Sequence, residues 1–195
     1  MKTRVPRGDA NLGALLLCAV IGAASALVVQ VLDVTVGGNF HAVVDGEAYR
    51  SAQPNGTDLA QDVAVQGIRS VINLRGENTG TPWYDAEVAE SKRLGLTHID
   101  FRMSSRRRLS QAEAAALIEL MRTAPKPVLI HCAGGSDRSG LAAALYVAAI
   151  ARQGEDAAEK HLSLAYGHIA LEQNPAFAMD RTFEALEPWL GFVDS

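Results

Sequence analysis

The chain has 195 residues, with 18 Lys and Arg against 22 Asp and Glu for a net charge of −4, and only two cysteines, Cys18 and Cys132. That length suits one domain with a sizeable core behind an apolar N-terminal stretch. The acidic balance argues against nonspecific nucleic-acid binding, and two cysteines, one of them inside the apolar stretch, rule out a disulfide framework.

Residues 1–11 form a basic N-terminus carrying Lys2, Arg4 and Arg7, followed by Leu12 to Leu32, 21 residues without a formal charge. As a helix this segment is roughly 30 Å long, about the thickness of a bilayer's hydrocarbon core, so residues 12–32 read as a transmembrane anchor. The next basic residue is Arg50, and the charges between are Asp33, Asp45 and Glu47. The positive-inside rule therefore puts the N-terminus in the cytoplasm and the rest of the chain on the periplasmic side. The competing reading is a signal peptide cleaved at Ala24-Ser25-Ala26, which releases a secreted or periplasmic protein; Leu27 to Leu32 extend the apolar run past that point and favour the uncleaved anchor. Residues 33–46, with Gly37, Gly38 and Asn39 as helix breakers, read as a juxtamembrane connector, and 47–195 as the folded domain. Residues 33–195 keep 15 basic and 21 acidic side chains, a net −6.

Beyond the connector, strand and helix signals alternate. Apolar, β-branched runs predict strands over 48–52, 67–74, 96–103 and 126–130. Helices are predicted over 57–66, 81–95, 110–124, 139–152, 155–168 and 175–192, the third opened by a capping box of Ser110 and Glu113. The expectation is an α/β fold, with a mostly parallel central sheet flanked by helices and preceded by an N-terminal apolar helix.

The most informative string is HCAGGSDRSG, residues 131–140, placed at a strand-to-helix turn. The unpaired N–H groups of a helix's first turn and the positive end of its dipole make such a turn an anion site. Gly134, Gly135 and Gly140 permit close backbone approach, so the backbone of Ala133, Gly134, Gly135 and Ser136 forms a phosphate-binding nest. Arg138 adds a planar fork for two phosphate oxygens. Cys132 is the candidate nucleophile, because a thiolate at a helix N-terminus is the reactive form of cysteine, and Ser139 can donate to its sulfur. His131 is expected beneath the loop as an orienting residue.

This string resembles the signature of the cysteine-dependent protein tyrosine and dual-specificity phosphatases, His-Cys-x5-Arg-Ser/Thr, at His131, Cys132, Gly135, Arg138 and Ser139. YRSAQP at 49–54, SVINLRG at 70–76 and Leu94-Gly95 are similar to segments of the atypical bacterial and fungal members, and the likeness spans about residues 47–170. The resemblance implies phosphoester hydrolysis through a phosphocysteine, with no cofactor. It also implies an aspartate general acid on a loop upstream of the cysteine. Here that region reads HIDFRMSSRRRLS, where Asp100 is the only carboxylate. Asp137 is the alternative, as in the Cys-x-x-Gly-x-Asp-Arg loops of myotubularin-like lipid phosphatases, with helix capping as its other role; Glu77, Asp85 or no acid at all complete the choices.

Arg50 and Arg75 are expected to form structural ion pairs. The triplet Arg106 to Arg108 reads either as a solvated loop or as a surface for a second anionic group, with Arg107 as the expected substrate contact. Trp83 and Tyr84 line the pocket or pack inside a helix. His98, His161 and His168 show no metal-ligand spacing. Two classes of function follow. The first is a phosphomonoesterase acting on a phosphotyrosine or phosphoserine protein or a phospholipid headgroup. The second is a catalytically weak phosphate-binding pseudophosphatase module at the membrane.

Overall fold

The computed structural model describes residues 9–192, with side chains from Leu12 onward; most of the basic N-terminus, residues 1–8, lies outside the described residues. Helix α1 spans Asp9–Thr35. Its apolar side chains, Leu15, Val20 and Leu27 among them, stand exposed along the whole length, and it is long and apolar enough to cross a membrane. It stops where Gly38 and Asn39 take positive φ, 77° and 48°, a conformation that ends a right-handed helix.

A five-stranded sheet follows, in the order β1-β2-β5-β3-β4. Its strands are β1 (His41–Val44), β2 (Ala48–Ser51), β3 (Ser70–Asn73), β4 (Thr97–Asp100) and β5 (Val128–His131). Only β1 runs antiparallel, paired with β2. The mostly parallel sheet expected from the alternation is therefore present, with one difference. The stretch 33–46 is more than a connector, since His41–Val44 is an edge strand and Asn39 is wholly buried. The run HAVVDGEAYR hides a hairpin, because its two strands are only four residues each and too short for a clear alternation.

Both faces of the sheet are covered, as parallel strands require. Alternation assigns the side chains: Ile72, Val128 and Ile130 face a large core against α4 (Gln111–Thr123), α5 (Arg138–Tyr146) and α7 (Asp180–Leu190). Val71 and Leu129 face a smaller core with Leu59 of α2 (Gly56–Gln66), on the side that also carries α3 (Pro82–Arg93). Ser110 and Glu113 form the predicted capping box of α4. Residues 155–168 are not one helix: α6 (Glu155–Glu159) stops early and a 3-10 turn covers Leu164–Tyr166. Beyond that end the His161 carbonyl accepts 2.8 Å from the Arg50 guanidinium. Likewise 175–192 divides into a 3-10 turn at Pro175–Ala178 and α7.

In register, Ser51 of β2 and Asn73 of β3 stand level with His131 at the end of the central strand. The segments that follow these three residues meet at one edge of the sheet, the carboxyl edge where open α/β sheets bind ligands.

Candidate active site

His131 is the last residue of β5, fully buried, and its Nε2 lies 3.1 Å from Glu87 Oε1. The same carboxylate takes His98 Nε2 at 2.7 Å and the side-chain amide of Gln53. Burial alone drives a carboxyl pKa upward, but these three donors outweigh it and hold Glu87 at about 2. His131 is thus held at the strand end that leads into the loop, and its Nδ1 lies 3.3 Å from the Cys132 carbonyl. Glu87 was not among the candidate site residues, although Tyr84, Glu87 and Ser91 form the buried stripe of α3 and place a carboxylate where only a paired one is tolerated.

The loop itself is held from outside by its carbonyls. The Ala133 carbonyl accepts from Gln53 N at 3.1 Å and that of Gly134 from Asn39 Nδ2 at 3.0 Å. Those of Gly135 and Ser136 accept from Arg50 Nη2 at 2.7 and 2.9 Å. In a trans peptide the N–H points opposite to the carbonyl. Four tethered carbonyls therefore turn the N–H groups of Gly134, Gly135, Ser136 and Asp137 to the other side. Among the described residues, no N–H from Ala133 to Ser139 donates to a protein acceptor. These free N–H groups lie at the N-terminus of α5. Gly135 has φ 72°, and a Cβ on it would lie 2.6 Å from the Ala52 nitrogen, so its lack of a side chain is required twice over.

Arg50 does this clamping without a carboxylate partner, which corrects the expectation of an ion pair. Its fully buried guanidinium serves three carbonyls and lies 4.3 Å from the Tyr166 ring centroid. Burial pushes its pKa down to about 10, against the opposing pull of Cys132, Tyr166 and Asp137. Beside it His161 is pushed down to about 4, by burial and then by the Arg50 charge. Arg75 also has no acid partner: it donates 2.7 Å to Gln53 Oε1 and lies 3.4 Å over the Trp83 ring.

Cys132 is 2% exposed, and its Sγ lies 3.5 Å from Ser139 Oγ. The Arg138 guanidinium makes no hydrogen bond to protein among the described residues, and it lines an open cleft with Arg75, Arg102, Arg106 and Arg107. Arg107 is also paired at 2.6 Å with Glu113. Asp137 does not cap α5. Its carboxylate accepts 2.8 Å from Nδ1 of the buried His168, whose Nε2 donates 2.8 Å to Asp180. Burial lowers the His168 pKa, but these two carboxylates outweigh it and raise the group above its ordinary 6.5. Asp100 ends β4, two strands from β5 and so about 10 Å to the side. Its oxygens accept from Tyr84 OH at 2.5 Å and Asn73 Nδ2 at 2.8 Å.

Residues 38–185 match the family model described as PTP-SAK, a Swiss Army Knife protein with a DSP-PTPase phosphatase domain. Among solved structures the chain is similar to TpbA of P. aeruginosa, at 21% identity and TM-score 0.60 over 80% of this chain and 92% of that one. PTPMT1 follows at 15% identity and TM-score 0.57, over 78% and 98%. The catalytic core of the PP-IP phosphatase SIW14 from S. cerevisiae is 18% identical with TM-score 0.56, over 80% and 94%. TpbA has also been solved with pTyr and PTPMT1 with PI(5)P. No curated protein sequence matches the chain.

Proposed function

The chain belongs to the PTP-SAK family of DSP-PTPase phosphatase domains, and from that membership we propose a phosphomonoesterase that works through a phosphocysteine on Cys132. The observation that carries this reading is the row of N–H groups from Ala133 to Ser139 that donate to no protein acceptor among the described residues, four of them turned away from tethered carbonyls, next to the buried Cys132 and an unpartnered Arg138. These groups stabilise the charge of a transferring phosphoryl group, which is most of what such a reaction requires.

In the first step a Cys132 Sγ–P bond forms while the ester P–O bond breaks, and the leaving oxygen takes a proton. In the second, water gives a proton back to the group that protonated the leaving oxygen and forms a new O–P bond, while the S–P bond breaks and the sulfur leaves as thiolate. Loop amides and Arg138 hold the equatorial oxygens, and Ser139 Oγ donates to the sulfur as it leaves. Asp137 is the proposed proton donor, its carboxyl hydrogen-bonded to His168, which is bonded in turn to Asp180. Asp100 is the weaker candidate, because both its oxygens are already engaged by Tyr84 and Asn73.

The apolar helix α1 is proposed as a membrane anchor with the phosphatase domain outside the cytoplasm. Its last turns support a short tether, since Gln30 donates to the Ala165 carbonyl and Val34 packs against Gly167, next to Ser136 of the loop. A phosphoprotein or phospholipid headgroup is the proposed substrate, in keeping with the pTyr and PI(5)P complexes of similar folds.

The test uses the full chain in detergent. Turnover of p-nitrophenyl phosphate should fall about a thousandfold or more in Cys132→Ser. Asp137→Asn should slow an alkyl phosphate far more than the aryl one, because the better leaving group needs no proton. Tight phosphate binding without any turnover would favour the alternative, a pseudophosphatase module.

A further inference from the structure

Five of the eight residues that line one open cleft of about 520 Å³ are arginines, Arg75, Arg102, Arg106, Arg107 and Arg138, and none is acidic. This concentration occurs in a chain of net charge −4. Like charges gathered this way repel one another, and an anion between them relieves the cost. Among the described residues the only acid paired with any of the five is Glu113, on Arg107. Arg75 is fixed by its stack on Trp83 and its bond to Gln53, and Arg102 by a hydrogen bond to the Glu77 carbonyl. The Arg106 guanidinium has no partner among the described residues. Guanidinium groups held in place but not neutralised suit phosphate recognition, which needs directed donors.

Arg138 connects this cleft to the cysteine loop, since it is the first residue of α5 and also a cleft wall. A molecule with one phosphate over Cys132 would extend past Arg138 into the other four arginines. We propose that the cleft is a subsite for a second phosphate, so that the enzyme prefers a small headgroup carrying two phosphates over one carrying a single phosphate. The inference rests on the phosphatase reading of the loop and narrows its substrate class. The headgroup can be borne by a lipid or be free in solution; the recognising chemistry is the same.

The experiment compares soluble short-chain phosphatidylinositol bisphosphate with the corresponding monophosphate on the full chain in detergent, and repeats the pair with long-chain lipids in phosphatidylcholine vesicles. The expected result is a ratio of kcat/KM, bisphosphate over monophosphate, that favours the bisphosphate in both arms and falls about tenfold in Arg106→Ala, with partial recovery in Arg106→Lys. An unchanged ratio in Arg106→Ala overturns the proposal. So does a preference confined to vesicles, which reports attraction to a charged surface and not a subsite. A preference for doubly over singly phosphorylated peptides, without one among headgroups, overturns the substrate class. Binding of the same soluble pair to Cys132→Ser separates this inference from the catalytic reading: if wild type turns nothing over, bisphosphate selectivity in Cys132→Ser that Arg106→Ala removes sustains the subsite while the phosphatase reading falls.

Discussion

Gly135 concentrates the backbone demands of the site in one residue. Its φ of 72° strains any L side chain, and the space a Cβ would need holds the Ala52 nitrogen and the Ser51 carbonyl carbon. Gly135→Ala should cost about 2–4 kcal/mol in urea unfolding, and activity should drop with it because the loop must shift away from β2. His168 makes a second demand. Its folded pKa is raised by Asp137 and Asp180, so the stability it contributes is fully present below the ordinary value of 6.5 and is lost as pH rises through the raised one. The stability gap between wild type and His168→Gln should therefore be wider at roughly pH 6 than at pH 9. A gap that is constant with pH would mean that the imidazole is neutral and bound only as a packing group.

At the scale of elements, the segment between α1 and β1 is part of the site's scaffold. Asn39 Nδ2 donates at 3.0 Å to both the Gly134 and Tyr166 carbonyls, and its Oδ1 lies 3.0 Å from His41 Nε2. Asn39→Ala leaves the Tyr166 carbonyl unpaired and the Gly134 carbonyl with only the Ser136 hydroxyl, and should cost about 1–3 kcal/mol, with kcat reduced more than KM is raised. Circular dichroism melts and steady-state kinetics on the same preparation read both effects. How much was legible in the sequence follows from whether a signal is local. The loop, its cysteine, its arginine and the helix behind it lie in ten consecutive residues, and the Ser110–Glu113 box is an i,i+3 pattern, so all of these could be read directly. The parallel sheet followed from alternation. Asn39, Arg50, Glu87 and His168 act on that loop from 31 or more residues away, and only the fold brings them there. The hairpin of β1 and β2 was obscured by its four-residue strands.

Over the whole molecule, charge and greasiness are segregated. An acidic domain gathers five arginines in the cleft beside the cysteine loop, and an apolar helix whose side chains stand exposed over most of its length leads into that loop's support. The proposed arrangement, with the domain outside the cytoplasm, predicts that protease added to intact spheroplasts digests the domain, while protection until lysis would contradict it. The account as a whole depends on covalent chemistry at one sulfur, and rapid acid quench during turnover of an aryl phosphate tests it most directly. Mass spectrometry of the quenched chain should find one phosphoryl group on the peptide containing Cys132, absent in Cys132→Ser. Steady hydrolysis with no phosphoryl group on that peptide, or undiminished hydrolysis by Cys132→Ser, would contradict it.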